Sequence, residues 1–191
     1  MLKKEEAKVI LASLDMPIPQ QRDICCYTLL AMSSIAANCE WVTADNEWLR
    51  IHDIMRFIDT EYGVRYAENS RETFRKQAIH HFRNAAIIED NGKATNSPNY
   101  RYRITDEFLE ILRKFGSSDW AKMIKSFLEH HHSLIEIYAS KKKMLRVPVQ
   151  INGGGFSFST GKHNQLQKLI LEEFLPRFAP YSECLLCRRY C

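Results

Sequence analysis

No apolar run in the 191 residues approaches the roughly 20 that a membrane-spanning helix needs; "LLAMSSIAAN" and "VIL", the longest, stop well short. The N-terminus "MLKKEEAKVI" carries acidic side chains where a secretory leader would be apolar. A cytoplasmic protein is therefore expected. Cysteine is sparse at six residues, and a reducing compartment disfavours structural disulfides. Cys25, Cys26 and Cys39 are accordingly expected as small buried apolar residues on or beside a helix. The pair in "CLLC", Cys184 with Cys187, has no second C-x-x-C and no H-x-x-x-H to complete a tetrahedral zinc site. His130, His131 and His132 are consecutive, so on a helix they point about 100° apart and cannot converge on one ion. No phosphate-cradling loop is present either, because "NGGGF" lacks the helix and lysine that would follow it. Nor does a paired acidic motif of the D…(D/E)-x-K type appear. No catalytic residue and no metal ligand is assigned.

What remains is an ordinary globular composition, 45% hydrophobic and 26% charged, long enough for one large domain or two small ones. The net charge of +4 is unevenly spread. Residues 1–69 carry 7 basic and 11 acidic side chains, residues 70–103 carry 7 and 3, and residues 104–191 carry 13 and 9. The middle segment is the densest positive stretch.

Helical periodicity covers about two thirds of the chain. In "KKEEAKVILASL" the apolar positions are Ala7, Ile10 and Leu11, with Leu14 beyond. "PQQRDICCYTLLAMSSIAA" follows as a second helix opened by Pro19. "LRIHDIMRFIDTEYG" places Ile51, Ile54, Met55 and Ile58 on one side and offers Gly63 as a stop. "SRETFRKQAIHHF" reads as a helix opened by Ser70, with Phe74, Ala78, Ile79 and Phe82 inward. "AAIIED" and "NYRYRIT" then form a hairpin around the turn pair Asn91 and Gly92. Helix, helix and hairpin together are the pattern of a winged helix-turn-helix.

Thr105 caps the next helix, "TDEFLEILRKFG", which Gly116 closes. A longer one, "SSDWAKMIKSFLEHHHSLIEIYASKKKML", buries Trp120, Ile124, Phe127, Leu128, Leu134, Ile135 and Tyr138. "RVPVQINGGGFSFST" alternates and turns at Gly153 to Gly155. "GKHNQLQKLILEEFLPRFAP" is a last helix stopped by Pro176 or Pro180. The expected fold is mainly α: a helical, winged helix-turn-helix domain over 1–143, then an incomplete α/β segment over 144–183.

In a winged helix the second helix enters the major groove, where Arg and Lys donate to guanine and Gln pairs with adenine, while the wing meets the backbone. Arg71, Thr73, Arg75, Lys76, Gln77 and His80 are the candidate DNA contacts on the helix. Lys93, Asn96, Asn99 and Arg101 are those of the wing. The alternative is a charge-rich helix face that is merely solvated.

The stretches "LRIHDIMRFIDTEYGVRYAENSRETFRKQAIHHFRNAAIIEDN", "TNSPNYRYRIT", "ASKKKMLRVPVQI" and "STGKHNQLQKLILEEFLPRFAP", in that order over residues 5 to 183, resemble the BsuBI/PstI family of type II restriction endonucleases. The resemblance implies an N-terminal helix-turn-helix domain and a catalytic domain of the PD-(D/E)XK type that cuts duplex DNA at a palindromic site with magnesium. It also implies homodimers and an associated DNA methyltransferase. Gln165 stands where the family more often has glutamate. The sheet that carries the family's metal-binding carboxylates lies beyond the 191 residues, so no cofactor is expected for this chain alone.

After "RFAP" the family continues with a segment like "LYVGDT". One coding of Cys184 to Cys191 restores "CLYVGDT" when a single T is deleted, so residues 184–191 are expected to be an out-of-frame tail. Three readings result: a truncated restriction endonuclease that keeps DNA binding, a stand-alone winged-helix regulator, and an inert fragment whose 145–183 segment exposes strand edges.

Overall fold

Apolar residues recurring at three- and four-residue spacing build a mostly helical protein. The structure is a computed structural model and describes residues 2–95, 97–133, 135–137, 146–159 and 161–182. It divides into two compact units, residues 1–137 and 138–191.

In the first unit, α1 (Lys3–Ser13) buries Ala7, Ile10 and Leu11 against α2 (Asp23–Met32). Helix α2 starts later than the sequence predicts. Pro19 sits in a separate 3-10 turn, Ile18–Gln21, and Arg22 is extended behind it. The Gln21 amide donates to the Met16 carbonyl at 2.6 Å and holds that turn apart from the helix. The helix also ends earlier, at Met32. Ser33 donates its hydroxyl back to the Leu29 carbonyl at 2.8 Å, and Ser34 takes a positive φ of 55°.

Helix α3 (Ile51–Tyr62) ends as expected at Gly63, whose left-handed φ of 64° lets its N–H reach the Asp59 carbonyl. Helix α4, continuous through residues 71–84, buries Phe74, Ala78, Ile79 and Phe82, the four positions the sequence predicts. Ser70 does not cap it. That residue lies in the 3-10 turn Glu68–Ser70 with helical backbone angles, which carry its side chain out of capping geometry. Midway, α4 widens into a five-residue π turn, Arg75–Ile79.

Strands β1 (Ile88–Asp90) and β2 (Tyr102–Ile104) pair antiparallel, Ile88 opposite Ile104. Asn91 and Gly92 do not make a two-residue turn. The connection runs from 91 to 101, because the Asn91 side chain donates to the Asn99 carbonyl at 2.7 Å and accepts from the Arg101 N–H at 3.3 Å. Leu49, just before α3, bridges Tyr102 with two backbone hydrogen bonds of 2.8 Å.

Thr105 caps α5 (Asp106–Arg113), accepting from the Phe108 N–H at 3.4 Å. Helix α6 (Trp120–His131) is shorter than predicted. His132 turns the chain with a φ of 59°, and Ser133 and Glu136 then cap each other reciprocally at 3.0 and 3.2 Å, opening a new helical turn at 135–137. Ile124 and Phe127 are buried, Trp120 and Leu128 half-buried, and Ile135 is exposed. Leu134 and Tyr138 lie outside the described residues.

In the second unit β3 (Arg146–Ile151) and β4 (Gly154–Ser159) form a hairpin. Its turn is Asn152 and Gly153, with φ of 49° and 75°; Gly154 and Gly155 pair within β4 rather than turn. Helix α7, residues 162–178, runs through Pro176 and stops before Pro180. The π turn Ile170–Phe174, one residue short of Pro176, widens the helix where the proline ring would meet a carbonyl of the preceding turn. Val149 and Ile151 are buried, while Leu166, Leu169, Ile170, Phe174 and Phe178 on α7 are exposed. The tail with Cys184, Cys187 and Cys191 lies outside the described residues.

Candidate nucleic-acid interface

Helix α4 divides its residues cleanly. Phe74 and Phe82 are fully buried, and Phe74 meets Tyr66 edge to face at 4.9 Å. Cys25 on α2 donates its thiol to the Gln77 carbonyl inside the π turn at 3.2 Å, and burial pushes that thiol up to about 12. The inner side of α4 is thus anchored by packing and by one polar contact. Arg71, Thr73, Arg75, Lys76, Gln77 and His80 are all exposed to solvent.

The cations among these are not bare. Arg75 donates Nε and Nη2 to the two carboxylate oxygens of Glu72 at 2.7 and 2.6 Å, and Lys76 reaches the same carboxylate at 3.2 Å. These two partners, Arg75 first, hold the Glu72 carboxyl down to about 2. Arg71 repeats the arrangement with Glu68, its Nε at 2.9 Å from Oε2 and its Nη2 on Oε1. His52 lies 3.1 Å from Glu68 as well. His80 contacts the Asn84 amide at 3.2 Å.

Arg71 and Arg75 line one wall of a cleft of about 400 Å³; Arg50, Ile51 and His52 from the start of α3 line another. Thr95, Ser97, Pro98 and Tyr100 of the 91–101 loop close it with Tyr102. Thr73, Lys76, Gln77 and His80 are not among its walls. Of the expected wing residues, Lys93 and Asn99 are exposed, Arg101 is half-buried, and Asn96 lies outside the described residues. Sequence reasoning missed Arg50 and His52. Periodicity shows only that they start a helix; the Leu49–Tyr102 bridge brings that start beside the hairpin. It also missed that Glu68 and Glu72 pair with the cations of the helix, although the spacing of Glu72 to Arg75 and Lys76 permits it.

The family model described as the BsuBI/PstI restriction endonuclease HTH domain matches residues 1–136, which contain α4, the hairpin and the cleft. The chain belongs to the BsuBI/PstI restriction endonuclease family. It is 35% identical over 181 residues to the type II restriction enzyme BsuBI of Bacillus subtilis, a match covering 92% of this chain and 57% of that enzyme. With the type II restriction enzyme AplI of Arthrospira platensis it shares 28% identity over 178 residues, 91% of this chain and 55% of the relative. The structure of SdaI restriction endonuclease matches with a TM-score of 0.64 at 26% identity, covering 93% of this chain and 57% of that one. This BsuBI/PstI-family chain therefore spans a little over half the length of the relatives it matches.

Among the described residues no three His, Cys, Asp or Glu side chains are placed to hold a metal ion. No helix among them is long and apolar enough to cross a membrane.

Proposed function

We propose that this chain is the DNA-binding N-terminal part of a type II restriction endonuclease, and that it reads duplex DNA through the outer side of α4. The observation that carries the reading is the split character of that helix. Its inner side is fixed by buried Phe74, Ala78, Ile79 and Phe82, while its outer side offers Arg71, Arg75, Lys76 and Gln77 to solvent. Residues that donate to base edges thus stand on a rigid support. The order α2, a bridging residue at Leu49, α3, α4 and a hairpin supports a winged helix-turn-helix, with Lys93, Asn96, Asn99 and Arg101 following the backbone.

In this proposal residues 1–143 form the DNA-binding domain, 144–183 begin a PD-(D/E)XK-like catalytic domain, and 184–191 are an out-of-frame tail. The full-length enzyme cuts with magnesium, acts as a homodimer in the cytoplasm and works beside a DNA methyltransferase. The 191 residues alone bind without cutting.

The test is retardation of a randomised duplex pool by the purified chain, with magnesium present and bound sequences recovered. A recurrent short sequence in the bound fraction with no cleavage is the expected result. Failure to retard any duplex at low salt overturns the reading.

A further inference from the structure

Resting on the proposed DNA-reading role of α4, we infer that Glu72 is a specificity-determining residue that reserves Arg75 for bases and withholds it from phosphates. Glu72 engages the guanidinium along its Nε and Nη2 edge, with oxygens at 2.7 and 2.6 Å. The far edge, Nη1 with the outer hydrogen of Nη2, is left free of that pairing. A guanine presents O6 and N7, two neutral acceptors, to such an edge, and the pair can accept this contact without breaking.

A backbone phosphate is different. It brings a negative charge to a group already neutralised by a carboxylate, so it must displace Glu72 or face it across the guanidinium. Lys76, 3.2 Å from the same carboxylate, is restrained in the same way. Arg71 with Glu68 repeats the geometry four residues earlier. Non-specific affinity comes almost wholly from phosphate contacts, so these carboxylates lower it while leaving base reading intact.

The experiment compares the full chain with its Glu72→Gln variant on two duplexes, the sequence recovered from the pool and a scrambled one, across a salt series. Gln keeps the size of Glu72 and removes its charge at an exposed position, and thermal melting verifies that both chains are folded. The expected result is scrambled-duplex affinity raised about fivefold to tenfold, with a salt slope steeper by about one to two units as Arg75 and Lys76 gain phosphates. Recovered-duplex affinity rises less, so the ratio of the two falls. An unchanged ratio and slope overturns the inference and leaves the DNA-reading role standing. Loss of recovered-duplex binding alone also overturns it, because Glu72 would then itself contact a base. Retardation of neither duplex by either chain overturns the DNA-reading role, and this inference with it.

Discussion

Helices α4 and α7 each widen into a five-residue π turn, yet the turns arise from different causes and leave the helices in different states. In α7 the turn precedes Pro176 and relieves a steric conflict that the sequence displays openly. In α4 there is no proline or glycine. Its turn coincides with the exposed residues Arg75, Lys76 and Gln77, and the Cys25 thiol of a neighbouring helix donates into it. Helix α4 buries Phe74 and Phe82 completely, whereas α7 leaves Leu169 58% exposed and Phe174 54% exposed. A π turn is thus a local backbone event, and what surrounds it decides whether it belongs to a site.

The sharpest way to break the comparison is at the inner side of α4. Phe74→Ala removes a fully buried ring and is expected to cost about 3–5 kcal/mol in urea unfolding followed by circular dichroism. A cost below about 1 kcal/mol would mean that α4 is not anchored by its apolar side. On the outer side, Arg75→Ala is expected to weaken duplex binding about tenfold to a hundredfold in fluorescence anisotropy, with an unchanged unfolding midpoint.

Cys25→Ala tests the link between α2 and the π turn, with an expected loss of about 1–2 kcal/mol at pH 7. The folded-state pKa of Cys25 is raised by burial to about 12. Its contribution is therefore fully present below the unfolded thiol value of about 8.5 and is lost as pH rises toward 12. The gap between native chain and variant should narrow between pH 7 and pH 10, and a gap that widens would contradict the burial of the thiol. Leu169→Ala on α7 completes the comparison with an expected change within about 0.5 kcal/mol, because this leucine is more than half exposed.

Much of the architecture was legible in advance. The inward sets Ala7, Ile10 and Leu11 of α1 and Phe74, Ala78, Ile79 and Phe82 of α4 follow from helical spacing, since apolar burial dominates folding. Gly63 and Thr105 were legible as helix ends because each supplies a local conformation or acceptor that the helix terminus needs. The family was legible too, in an ordered series of segments rather than in one motif.

Misread points lie where two local rules compete. Ser133 and Glu136 opened a new cap inside a continuous apolar pattern, Ser33 ended α2 early, and Asn91 spent its side chain on closing a long loop. Each is a polar side chain that hydrogen-bonds nearby backbone in preference to extending the regular element.

By itself the sequence determined which residues of α1 and α4 face inward, the family, and the chemical types available on α4, because spacing and residue identity are local properties. Only the tertiary structure decided that Arg50 and His52 share a cleft with Arg71 and Arg75, since that depends on a backbone bridge between residues 49 and 102.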